Sequence, residues 1–182
     1  MKKFTQLLFI VSTLFIFSSC NLSKPREVVV NDRFTMMIPQ TMIPTEDLND
    51  DACLQYMNPL QELYVIVIED TYESIGNALI QHGLSEQPNP SFEGFCLLAS
   101  SSEEHSFIIK DDRENLVCDT INGMNARLFE NKRSLNNVEV YYKIALLEGQ
   151  SSYYQIISWT LPEKEKDHGG HIDGMIRSFK EL

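Results

Sequence analysis

Four side chains within seven positions could hold a metal ion: Asp167, His168, His171 and Asp173. Two imidazoles and two carboxylates form a donor set that zinc or a similar divalent ion accepts. The spacing works against that chemistry. A catalytic histidine pair is normally held at i, i+4 on a rigid helix with a distant third ligand, and here Gly169 and Gly170 separate the two imidazoles. The pattern predicts a polar, mobile loop ahead of the last helix. It leaves His168 and His171 as weak metal candidates and implies no cofactor.

The other polar clusters are weaker. Ser100, Ser101 and Ser102 near His105 and Asp111 contain the residue types of a hydrolytic triad, but a polar loop gathers such residues by composition alone. The chain has no GxSxG elbow, SxxK, glycine-rich phosphate loop, EF-hand loop or HExxH. The acidic pairs Asp50-Asp51, Glu103-Glu104 and Asp111-Asp112 fall at turns, where carboxylates are solvated, with a weak calcium site as the alternative. His82 belongs near a helix C-terminus, where it complements the helix dipole.

Cys20 carries a chemistry of its own. Met1-Lys2-Lys3 is a short basic segment, and Leu7 to Phe17 is apolar over a length typical of an export signal. Ser18-Ser19-Cys20 then resembles a lipobox, although Phe17 stands where leucine is more usual. The alternative is an ordinary secretory signal with a chance cysteine. The lipobox reading makes 1–19 a signal peptide and 20–26 a lipidated N-terminus and linker. Each buried CH₂ of an acyl chain contributes about 0.8 kcal/mol, so several chains on one terminus anchor it firmly. The expected location is a bacterial cell envelope, with the protein on the outer membrane facing the periplasm.

Residues 27–182 suit one domain with a real core. The chain has 15 basic and 26 acidic residues; losing Lys2 and Lys3 takes the net charge from -11 to -13. That argues against nucleic acid and against adhesion to anionic lipid. Cys53, Cys96 and Cys118 remain after Cys20, an odd number with no CxxC spacing. They read as buried thiols, with one disulfide as the alternative.

The elements follow from hydrophobic period. Val28 to Ile38 reads as one extended segment stopped by Pro39, and Ala52 to Met57 as a strand. The unbroken run Leu63 to Ile68 reads as a central strand covered on both faces. Thr71 can cap a helix ending near Gly83, and Ser91 a second carrying Phe92, Phe95 and Ala99. Asn122-Gly123 predicts a type I′ hairpin pairing Ile121 with Met124. Asn131 to Asn137 reads as a polar turn, followed by strands over Val138 to Leu147 and Tyr153 to Leu161. Ile172, Met175, Ile176 and Phe179 mark a final helix. Short turns between consecutive strands demand antiparallel pairing, so the class is α+β: a single antiparallel sheet with helices on its faces. Outward members of the tyrosine-rich strands, Tyr141, Tyr153 and Trp159, would form an aromatic binding face.

The order of these elements resembles a known fold. RFTMMIP with its F-x-x-x-I-P start, DACLQYMNPLQELYVIVIED, then SYYQIISWTLPEK and the terminal HIDGMIRSFKEL are similar to the PsbP-like family. That family is named for an extrinsic photosystem II subunit and includes a Ran-binding nuclear import factor. The resemblance spans nearly all of 27–182 and implies an α/β/α sandwich and a non-enzymatic binding or assembly module. It carries over no functional residue, and its photosystem and nuclear partners do not transfer. Joined to the lipobox, it implies an anchored module that binds another envelope protein. The alternatives are a small-molecule or peptide carrier, or a metal-dependent hydrolase using His168 and His171.

Overall fold

The computed structural model describes residues 24–87, 90–101, 117–135 and 138–182. The signal segment, Cys20, Ser102, Glu103-Glu104, His105 and Asp111-Asp112 lie outside the described residues. No helix among the described residues is long and apolar enough to cross a membrane.

Among the described residues, ten strands form two antiparallel sheets, accompanied by three α-helices. The strands are β1 (Arg26–Val30), β2 (Phe34–Ile38), β3 (Ile43–Pro44), β4 (Ala52–Asn58), β5 (Leu63–Thr71), β6 (Val117–Ile121), β7 (Met124–Leu135), β8 (Val138–Glu148), β9 (Ser152–Thr160) and β10 (Lys180–Glu181). The helices are α1 (Tyr72–Gln81), α2 (Phe92–Ser101) and α3 (Glu165–Ser178). The large sheet has the order β3-β4-β5-β9-β8-β7-β6, and a small one the order β1-β2-β10.

β5 shows why the large sheet is dry on both faces. Leu63, Val65 and Val67 enter one core with β2 and α3, while Ile66 and Ile68 enter a second with α1 and α2. β8 divides in the same way, sending Tyr141, Ala145 and Leu147 to the first core and Val140, Tyr142, Ile144 and Leu146 to the second. The α/β/α layering and antiparallel class expected from the strand pattern are present.

Local signals explain most boundaries. Thr71 Oγ1 accepts from Ser74 N at 3.1 Å and caps α1, and Gly83 (φ +67°) follows its end. Ser91 Oγ accepts from Gly94 N at 3.1 Å and opens α2. The Asn122-Gly123 turn has φ of 47° and 87° and sets Ile121 opposite Met124 and Val117 opposite Leu128.

Three expectations require correction. The sheet is not single. Asn31 and Asp32 both take positive φ, 49° and 54°, so the first extended segment folds into the β1–β2 hairpin of the small sheet. Asparagine and aspartate tolerate this conformation because their short polar side chains bond locally. Residues 131–135 are not a turn; they continue β7 and pair with β8, Asn131 opposite Tyr142, because the ladder is a backbone interaction that polar side chains do not prevent. Finally, His168 to His171 is helical. The glycines disfavour helix locally, but Ile172, Met175 and Ile176 are buried in the first core and dictate the conformation.

The surface side of α3 is fastened to the sheet by ion pairs: Lys132 with Glu165, Lys143 with Asp173 at 2.6 Å, and Arg177 with Asp119 at 2.9 Å. Gly169, Gly170 and Gly174 do not contribute to that fit, since a Cβ at any of them would meet nothing within 4 Å. Helical glycine costs about 0.5–1 kcal/mol relative to alanine. Gly174→Ala is therefore expected to raise unfolding free energy by roughly that amount, measured by urea denaturation of the otherwise unchanged protein.

Candidate functional site

The predicted aromatic face is not a surface. Tyr141, Tyr142, Tyr153 and Tyr154 are all buried, because strand alternation here distributes residues between two cores rather than between core and water. Tyr153 stacks on Phe95 at 4.6 Å beneath α2. Trp159 alone of the expected trio is partly exposed, stacked on Tyr64 at 5.2 Å.

The histidines come together without forming a chelate. His168 is buried and its Nε2 donates to Gln61 O at 3.0 Å, while its Nδ1 has no partner. His171 is exposed, with its ring stacked 5.9 Å away and tilted by 29°. Ligand lone pairs lie in the imidazole plane, so two stacked rings do not converge on one ion. Asp173 is bound to Lys143 on another side of the helix. Among the described residues, no group of three or more His, Cys, Asp or Glu side chains is gathered to hold a metal.

A concavity of about 500 Å³ lies at the other end of the large sheet. The β6–β7 turn, the β8–β9 turn, the start of α1 and β10 build it, which is why no contiguous motif announces it. Glu148 Oε2 accepts from Asn125 Nδ2 at 2.7 Å. Glu181 Oε2 accepts from Gln150 N at 2.6 Å, and its Oε1 from Tyr154 OH at 3.1 Å. Tyr72 OH donates to Gly149 O at 2.5 Å, and Asn122 Nδ2 donates to Phe179 O at 2.7 Å. The wall is thus held by its own hydrogen bonds. A side chain at Gly149 would displace the wall, because a Cβ would sit 2.6 Å from Glu181 Oε1 and 2.8 Å from Tyr154 Cε2. Burial raises the Tyr72 phenol pKa, and the charges of Glu148 and Glu181 raise it further. The site offers carboxylates, amides and Lys180 around one tyrosine, a lining suited to a polar ligand. The sequence marks Glu148 to Ser152 as a turn, but that it meets β10 is a tertiary fact.

A second concavity, about 240 Å³ and apolar, lies between α3 and the beginning of the small sheet. Pro25, Met37, Pro39, Gly170, His171, Gly174, Met175 and Ser178 line it, so the groove follows α3 from His171 to Ser178. The register of the small sheet relates the chain's entry, beside the groove, to the polar concavity. Arg26 opposes Ile38 at one end of the small sheet, whereas Val30 opposes Phe34, which opposes Glu181, at the other. Arg33 joins Glu69 at 2.5 Å and Ser152 at 2.9 Å at that second end. The five residue steps from Pro25 to Val30, at about 3.3 Å each, put the chain's entry roughly 17 Å from the level of Glu181.

No protein-family model matches the chain, and no curated protein matches it by sequence. Solved structures do resemble it. The solution structure of cyanobacterial PsbP (CyanoP) from Synechocystis sp. PCC 6803 aligns with a TM-score of 0.58 at 8% identity, covering 93% of this chain and 99% of that one. A crystal structure from Bacteroides thetaiotaomicron aligns with a TM-score of 0.54 at 10% identity over 88% of this chain. This chain spans about half of that protein, 49% of its length. LpqN of Mycobacterium tuberculosis, described as involved in cell envelope biogenesis, is similar at a TM-score of 0.47 and 9% identity, covering 90% of this chain and 87% of that one. The fold is the α+β, PsbP-like one.

The thiols differ sharply in setting. Cys53, Cys96 and Cys118 are all free, and Cys118 is exposed rather than buried as expected. Burial pushes Cys53 up to about 11 and Cys96 up to about 12. At pH 8 only Cys118 is expected to react rapidly with iodoacetamide in the Cys20→Ser protein, as peptide mass mapping would report. Burial also pushes Tyr153 up to about 12. All three groups are raised, so their contribution to stability is complete below the thiols' ordinary value near 9.0 and is lost as pH rises toward 12. Urea midpoints measured from pH 8 to 11.5 should fall across that window.

Proposed function

We propose that this chain is a lipoprotein of a bacterial cell envelope, anchored through lipid on Cys20, that serves as a non-catalytic binding or assembly module for another envelope protein. One observation carries the reading: the chain enters the domain at Pro25, and a polar concavity built by two hairpin turns and β10 sits roughly 17 Å away along the register of the small sheet. Such a molecule presents a preformed polar surface away from the membrane that holds it. The PsbP-like fold fits a binding role at the level of architecture. An outer-membrane position facing the periplasm agrees with the short, non-acidic linker from Asn21 to Arg26.

A carrier of a small polar molecule or peptide is the second reading, and the volume and lining of the distal concavity favour it over an apolar cargo. The hydrolase alternative loses support, because His168 Nε2 is engaged by Gln61 and the two imidazoles do not converge.

Metabolic labelling with palmitate should mark the wild-type protein and leave Cys20→Ser unlabelled and in the soluble fraction. A photo-crosslinking residue at Gln150, on the distal rim, should then capture one envelope protein in native cells. The same residue at exposed Lys166 on α3 should not. Labelled Cys20→Ser, or equal capture at both positions, would refute the reading.

A further inference from the structure

The tether end carries a second surface. The turn joining β4 and β5 is firmly built: Asn58 Nδ2 donates to Gln61 Oε1 at 2.7 Å, Gln61 N donates to Asn58 O at 3.1 Å, and His168 Nε2 donates to Gln61 O at 3.0 Å. Its tip is Leu60, 93% exposed. A single exposed leucine is ordinary on a protein surface, but the surroundings of this one are not random. Gln61 leads through His168 to His171, which lines the apolar groove with Pro25, Met37 and Pro39. Ile43, 53% exposed, opposes Met57 just before the same turn. The groove's helical wall is formed by Gly170 and Gly174, where no side chain fills the space.

What meets this end is set by chain length. Four residues, Asn21 to Lys24, separate Cys20 from Pro25, a reach of at most about 17 Å over five fully extended steps. If Cys20 carries lipid, as the proposed function has it, the apolar end cannot leave the neighbourhood of the bilayer. Its local concentration at the interface is then high without any affinity of its own. We propose that Leu60 and the rim of the α3 groove, through Pro25 and Pro39, rest in the interfacial region of the bilayer that holds the Cys20 lipid. That contact fixes the domain upright, with the distal polar concavity facing away. The contact is apolar and needs no anionic lipid, consistent with the net charge of -13 that remains once Lys2 and Lys3 are lost from the -11 of the full chain.

The single tryptophan makes the test direct. In a Trp159→Phe background, Leu60→Trp places a reporter at the tip and Gln150→Trp one at the distal rim. Each acylated protein is reconstituted into phosphatidylcholine vesicles brominated near the top of the acyl chains. Fluorescence at position 60 should fall at least twofold on bromination, and at position 150 it should not change. Should Trp159→Phe not fold, Leu60→Cys bearing an environment-sensitive dye in a Cys118→Ser protein gives the same readout. Acylated protein that floats with vesicles but shows no quenching at position 60 overturns the docking and leaves the anchor standing. Acylated protein that does not float overturns both. A photo-crosslinking residue at position 60 that captures a membrane protein in native cells, with no quenching in brominated phosphatidylcholine, would assign the surface to that protein and contradict the proposal. Cys20→Ser protein should not float, because the patch acts only within reach of the tether.

Discussion

The constraint on which this structure depends is a sheet with water on neither face. The middles of β5, β9 and β8 are buried on both sides, and their apolar residues divide between two cores. A strand in that position is mostly apolar, as Leu63 to Ile68 is, and its tyrosines, like Tyr153 and Tyr154 of β9, are buried. Phe34, Tyr154 and Phe179 form one aromatic cluster beneath α3, with Phe34 and Phe179 centroids 4.8 Å apart. Phe92, Phe95 and Tyr153 form another beneath α2. Both layers of cover are therefore required for the sheet to exist.

That requirement decides where function can reside. With its faces occupied, the large sheet offers a ligand only its edges and ends. The polar concavity forms at one end, where the turns of two hairpins approach β10. The apolar groove forms where α3 approaches the beginning of the small sheet. Gly149 shows the cost of bringing separate turns together: the backbone there comes closer to Glu181 and Tyr154 than any side chain permits. Arg33, reaching from the β1–β2 turn to Glu69 and Ser152, ties the small sheet to the large one at the same end.

Legibility in the sequence followed the range of the interaction. Turn chemistry and capping are local, so the Asn122-Gly123 hairpin register and the Thr71 cap could be read directly. The antiparallel class followed from short connections. Asn31-Asp32 was a comparable turn signal, but the apolar residues on both sides gave the appearance of one long strand. The His168 to His171 segment was misread because local glycine propensity pointed to loop, whereas burial of Ile172 and Met175 against the sheet determined helix. The tyrosine face failed for a related reason: alternation predicts an exposed side only when one face lacks cover. The distal concavity was illegible, since its residues come from four separate elements and no spacing connects Tyr72, Asn122, Glu148 and Glu181.

The central claim is that recognition takes place at the ends of a doubly covered sheet. Hydrogen exchange of the anchored protein in its native membrane, compared with the same protein in detergent, tests it most directly. The account predicts that amides of residues 122–125 and 148–151 gain protection in the membrane, with β5, β8 and β9 equally protected in both states. Protection gained instead over the outer surfaces of α1 and α2, with both turns unchanged, would contradict it.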